Sequence, residues 1–183
     1  MPISFDDGVS YYRELLTESD RAVVMASVAK LDHMLLDCLT CSERHRNGSR
    51  DIKHMSFSRK IDTAHEQKII DFDLQATLHA IRRIGNVFAH DFRVRDLNDE
   101  SIQAFGSMVM DPYLKYSDEF KQHLDPFTIT RTPEGFSLTY RAIVSLIMRS
   151  IEDWLKKPEN ERVGYCSPVP ESWKKSNRVT GGF

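Results

Sequence analysis

The chain is poor in the features that would assign it quickly. Its longest apolar run extends only from Ala142 to Met148 and is interrupted by Ser145, well short of the ~20 apolar residues that a membrane-spanning helix needs. Three cysteines in 183 residues are too few for a disulfide framework. Cys38 and Cys41 form the one CxxC. A structural zinc site takes about four ligands, and only Cys166 and scattered histidines are available to complete it. A redox CxxC sits at a strand-to-helix junction, whereas this pair lies in a helical run. The pair is therefore expected to be two half-buried thiols, and no metal or cofactor is assigned. Excess charge is lacking too. With 25 Lys+Arg against 27 Asp+Glu the net charge is −2, so no global positive field drives non-specific DNA binding. The start, MPISFDDGVS, has neither a positive n-region nor an apolar h-region, and a cytoplasmic location with no membrane contact is expected.

What is present is a core. An apolar fraction of 40% and a charged fraction of 28% are ordinary for a globular protein, and this length suits one domain with a hydrophobic interior. The organising stretch is Asp71 to Phe92, DFDLQATLHAIRRIGNVFAHDF. Leu74, Leu78, Ile81, Ile84 and Phe88 recur at helical spacing and form one apolar stripe. At about 100° per residue His79, Arg83, Asn86 and His90 fall on a second stripe, nearly opposite. Asp71 is placed to cap this helix, with Asp73 in its first turn. Gly85 costs about 1 kcal/mol of helix stability relative to Ala, so it predicts a close helix approach or a bend.

Helical spacing also predicts a helix from Asp20 to about Ser42, preceded by the capping choices Thr17 to Asp20, and a second from Phe57 to Ile70. His33 within the first is expected to be structural. A short helix is expected over Val9 to Leu16. Ser101 to Met110 predicts a helical turn or two, with Asp111-Pro112 breaking or restarting the chain. Alternation in Phe127 to Thr130 and Phe136 to Thr139, around the turn signal Pro133-Glu134-Gly135, predicts a small β-hairpin. Leu138 to Leu155 predicts a final strong helix. The expected architecture is all-α: a single-domain helical bundle over 1–160 with a hairpin near 127–139, then an extended C-terminal tail over 161–183, docked through Tyr165 or Trp173. Arg44, Arg46, Arg50 and Lys53, with Arg59 and Lys60 beyond, make the most basic region. They are candidates for nucleic-acid contact. No aromatic residues interleave them for base stacking, which favours a solvated loop.

From Ser56 to His90, the stretch SFSRKIDTAHEQKIIDFDLQATLHAIRRIGNVFAH resembles the mannitol operon repressor family, whose members carry a segment like SFS-x-KI-x-x-A, an acidic link and an R-N-x-F-A-H ending. Glu18 to Arg21 and the helix after them are similar to that family's first long helix. The resemblance covers about residues 18 to 92. It implies an all-α bundle acting in transcriptional control by contacting other proteins, without a dedicated DNA-binding motif. Consistent with this, no helix-turn-helix with a basic recognition helix is visible. The same ending is similar to that of HEPN-type helical domains, which include metal-independent ribonucleases and toxins with an Arg, four to six residues, then His. Asn86 and His90 match that pattern; Gly85 stands where its Arg is expected, and Arg83 preserves only the looser spacing. If this were a ribonuclease, His90 would act as general acid or base on the 2′-OH and Arg83 would stabilise the charged phosphorane-like state. The expected function is therefore a non-enzymatic transcriptional regulator with no catalytic residues, the alternative a ribonuclease using Arg83, Asn86 and His90. Interface candidates are His79, Arg83, Asn86, His90 and Asp91. Expected partners are a second copy and another regulatory protein, with direct DNA or RNA contact left open.

Overall fold

Each of the first three helices starts where a short polar side chain can satisfy an orphan backbone N–H. The computed structural model describes residues 15–43, 52–114, 133–158, 161–162 and 166. Helix α1 spans Asp20–Glu43; the Ser19 hydroxyl accepts from the Ala22 N–H at 3.2 Å. A single 3-10 turn, Ile52–His54, leads to α2, Phe57–Glu66, where Ser56 accepts from the Arg59 N–H. Helix α3 spans Phe72–His90, and the Asp71 carboxylate accepts from the Leu74 N–H at 2.8 Å. All three caps bond the third helical residue. Helices α4, Glu100–Leu114, and α5, Pro133–Lys156, complete the described chain.

The bundle forms around α1 and α3. Helix α1 packs on α2, α3 and α5, α3 packs most extensively on α4, and α4 closes against α5. Leu74, Leu78, Ile81, Ile84 and Phe88, the predicted apolar stripe, are all buried. They share one core with Val24, Leu31, Leu35 and Leu39 of α1 and with Tyr140, Ile143, Val144, Ile147 and Ile151 of α5. A Cβ on Gly85 would stand 2.7 Å from Val28 Cγ2. The glycine is therefore a close-approach residue, and it sets the spacing between α1 and α3.

Several boundaries differ from expectation. Helix α2 ends at Glu66, not Ile70. The Ile69 N–H donates to the Ala64 carbonyl and the Lys68 N–H to the His65 carbonyl, with Lys68 at φ 59°. That is a Schellman stop with lysine in the left-handed position usually given to glycine. Ile70 instead forms an isolated parallel bridge with Cys166. Helix α4 is longer than predicted and runs through Pro112; only Tyr113 and Leu114 follow the proline, so little helix is interrupted. The predicted hairpin is corrected: Pro133 opens α5, and Phe136 to Thr139 are helical. A proline in the first turn forfeits no intrahelical bond. Phe127 to Thr130, most of Val9 to Leu16, Tyr165 and Trp173 lie outside the described residues.

Candidate functional site: the open end of helix α3

The polar stripe of α3 divides into two halves. In the N-terminal half, Gln75 Nε2 donates to Asp62 Oδ1 of α2 at 3.1 Å and His79 Nε2 meets the same oxygen at 2.9 Å. Partial burial pulls the Asp62 pKa up, but the hydrogen bonds from His79 and Gln75, together with the charge of nearby Arg59, outweigh it and hold the carboxyl below its usual range. His79 is half-buried and committed to this helix–helix tie. It is tied into the bundle, whereas the rest of the stripe is not. Asp91 is likewise committed. Arg93 bonds it through Nε at 3.0 Å, through a terminal nitrogen at 2.8 Å and through its own N–H. These bonds hold the Asp91 carboxyl at about 2.

The C-terminal half faces out. Arg83 is exposed, with its guanidinium 5.8 Å from the Phe105 ring centroid of α4. Asn86 and His90 are exposed, and neither bonds another described side chain or backbone group. Beyond them Phe92 is 84% exposed. A large aromatic held almost wholly in water carries no packing role of its own.

Two residues at the start of α1 hold this end in place. The Arg21 guanidinium donates to the carbonyls of Phe88, of Asp91 at 2.9 Å and of Val94 at 2.7 Å. It thereby satisfies the Phe88 and Asp91 carbonyls that the end of α3 leaves unpaired, ties in the Val94 carbonyl of the connection, and sets a cation at the negative end of the helix dipole. The same guanidinium lies 5.5 Å from the Phe88 ring centroid and 5.8 Å from that of Phe92, within cation–π range. Asp20 accepts from the Leu97 N–H at 2.9 Å, from the Ser137 hydroxyl at 2.6 Å and from Arg141 at 2.5 Å. Arg141 also donates to the Leu15 and Glu18 carbonyls. The side chains of this ion pair are only 6% and 11% exposed. Asp20, Arg21 and Arg141 thus lock α1, the α3–α4 connection and α5 together beneath the open face. Sequence reasoning missed all three. The one local signal was Arg141, a charge set among Tyr140, Ala142, Ile143 and Val144.

Arg44, Arg46 and Arg50 lie outside the described residues, and Lys53 is exposed on the 3-10 turn. Lys60 leaves the basic surface altogether: it is buried, with Nζ 2.8 and 2.9 Å from the two Asp32 oxygens. Cys38 is fully buried and Cys41 half-buried. Cys166 donates its N–H to the Ile69 carbonyl at 2.6 Å. Burial pushes the Cys38 thiol well up and Cys166 to about 12, so both persist as neutral thiols, the unreactive form. Among the described residues no group of three or more His, Cys, Asp or Glu is placed to hold a metal ion.

Fold and site together define an all-α bundle whose longest polar stripe is half internal tie and half open surface. No described helix is long and apolar enough to cross a membrane. Set against models of known protein families, curated proteins and solved structures, the chain matches none.

Proposed function

We propose that the protein is a non-enzymatic, cytoplasmic transcriptional regulator that works through protein–protein contacts, as its resemblance to the mannitol operon repressor family implies. The docking surface is the open end of α3. The observation that carries this reading is the outward, uncommitted set of Asn86, His90 and Phe92, braced from behind by Arg21. Exposed side chains on a helix end whose backbone is held by Arg21 can meet a partner without reordering of the backbone, and that is the property of an interface anchor. The near-neutral net charge supports a protein partner over a nucleic acid.

The exposure of Arg83, Asn86 and His90 on one side of α3 also favours a second reading, a metal-independent ribonuclease in which His90 moves the proton of a 2′-OH and Arg83 faces the phosphate. One experiment separates the two. Total RNA is incubated in chelator with the wild-type protein and with His90→Ala, both checked for equal folding. The regulatory reading expects no cleavage by either. Cleavage by the wild type alone makes the protein a ribonuclease.

A further inference from the structure

Beside the polar stripe of α3 stands an arginine that the bundle does not pair. Arg82 is half-buried and forms no hydrogen bond or ion pair with another described residue. Its Nε is shut off from water without an acceptor. Buried polar groups are nearly always bonded, and an unmet donor on a cation is costly. At about 100° per residue Arg82, Asn86, His90 and Arg83 fall within one arc of about 100°, and from Arg82 to His90 the helix rises about 12 Å. Asn86 and His90 likewise bond no described group. Arg83 is met by the face of the Phe105 ring, which leaves the N–H edge of its guanidinium open. The carboxylates that border this patch are already taken, Asp62 by His79 and Gln75 and Asp91 by Arg93.

We infer that this patch receives one or two carboxylates from a short acidic segment of the partner protein, with Arg82 and Arg83 as the paired donors and Asn86 and His90 between them. This inference rests on the open end of α3 being a docking surface, as proposed above. A guanidinium takes a carboxylate through two parallel N–H bonds, each stronger than a neutral one. An arriving carboxylate therefore offsets the hydration that Arg82 gives up without return from its own chain. The size of the patch selects a short segment over nucleic acid. A phosphate polymer gains by running along many cations, whereas this patch ends after about two turns of helix. Past it lies the connection to α4, where Asp96 and Glu100 are exposed and Asp99 is bonded to the uncharged Ser101. One cation, Arg95, stands beside these three carboxylates. A polyanion that continued from the arginines would be repelled there, while a peptide carboxylate can sit on them and its chain turn away.

The test is a titration of the full, isotope-labelled chain, following the arginine Nε–H signals by NMR. The probes are an acetylated and amidated glutamate hexapeptide, its glutamine counterpart, and a 2′-O-methyl uridine oligonucleotide of the same charge as the first. The glutamate peptide should shift the signals of Arg82 and Arg83, the glutamine peptide should not, and the oligonucleotide should bind more weakly. Arg82→Met and Arg83→Met should each raise the dissociation constant of the glutamate peptide about tenfold, the loss of one charge-assisted pair. Arg82→Lys keeps the charge without the planar fork and should lose part of that. Lys53→Gln removes an exposed cation on the 3-10 turn and should change nothing. Arg82→Met retains the packed stem and removes a cation that the bundle leaves unpaired, so it should melt no lower than the wild type. A marked fall would make Arg82 a structural residue and overturn the inference. Arginine signals that ignore the glutamate peptide also overturn it, as does tighter binding of the oligonucleotide. A partner protein that is lost on Phe92→Ser but held equally by Arg82→Met and Arg83→Met overturns it while leaving the regulatory function standing. RNA cleavage in chelator removes that function and the inference with it.

Discussion

Gly85→Ala is expected to destabilise the protein even though it replaces the second-worst helix former with the best. The added Cβ would lie 2.7 Å from Val28 Cγ2 and 3.6 and 3.7 Å from the two other carbons of that side chain. Carbon atoms settle at about 3.5–4.0 Å, so the overlap with one methyl is close to 1 Å. Valine in a helix has essentially one χ1 rotamer, so the methyl cannot swing aside and α1 must move off α3. Overpacking of this kind costs about 1–3 kcal/mol, against about 1 kcal/mol gained from helix propensity. The net expectation is a loss of about 1 kcal/mol, which for a chain of this size lowers the melting temperature by about 2–4 °C. Urea unfolding followed by far-ultraviolet circular dichroism measures it, with Val28→Ala as the second arm. Once the valine methyls are gone the clash is gone, and Gly85→Ala should then stabilise by about 1 kcal/mol. The cycle would show a coupling of roughly 2 kcal/mol between the two sites. Equal stabilisation by Gly85→Ala in both backgrounds would refute the close-approach role of this glycine.

Other substitutions probe the supports around the site. Asp20→Ala leaves the Arg141 guanidinium buried without its carboxylate, and breaking a pair this enclosed should cost about 3–5 kcal/mol by urea unfolding; a loss below about 1 kcal/mol would mean that the carbonyls of Leu15 and Glu18 suffice for Arg141. Lys68→Gly removes the strain of a left-handed lysine and should stabilise by up to about 1 kcal/mol; a neutral or lower melting point would contradict it. The Asp62 carboxyl is held below its usual range, so its bonds to His79 and Gln75 contribute stability that is full above the ordinary carboxylate pKa and is lost as pH falls through the lowered value. Asp62→Asn should therefore flatten the acid limb of the stability profile, and an unchanged limb would show that the tie contributes nothing. Titration of the native protein with a thiol reagent should modify Cys41 first, with Cys38 and Cys166 reacting only on unfolding; three equally fast thiols would contradict the burial.

The helix starts and the core stripe were legible because both are local. Ser19 and Asp71 announce their helices by side-chain chemistry within three residues, and Leu74, Leu78, Ile81, Ile84 and Phe88 repeat at the period that buries them. Stops were harder to see. Lysine rather than glycine occupies the left-handed position at residue 68, so nothing marked the end of α2, and Ile69 and Ile70 continued an apolar pattern that belongs to a different contact. Pro133 read as a turn because proline serves turns and first helical turns equally well. The charged residues that brace the site were invisible for another reason. Asp20 and Arg141 are 121 positions apart, and Lys60 and Asp32 are 28 apart; an ion pair between distant positions has no local signature, so each partner alone reads as surface.

The same distinction decides what the polar stripe of α3 can do. Its periodicity treats His79 and His90 alike, and both sit on one side of the helix. What separates them is the neighbour each meets: α2 places Asp62 against His79, while beyond the short helix α2 nothing described bonds the side chain of Asn86 or His90. Arg21 supports the backbone of that end, at Phe88, Asp91 and Val94, without occupying either side chain. A helix end braced through its carbonyls and left open at its side chains is stiff and available at once, the combination that binding at low entropic cost requires. Substituting Arg21 should therefore harm both stability and association, whereas substituting His90 or Phe92 should harm association alone.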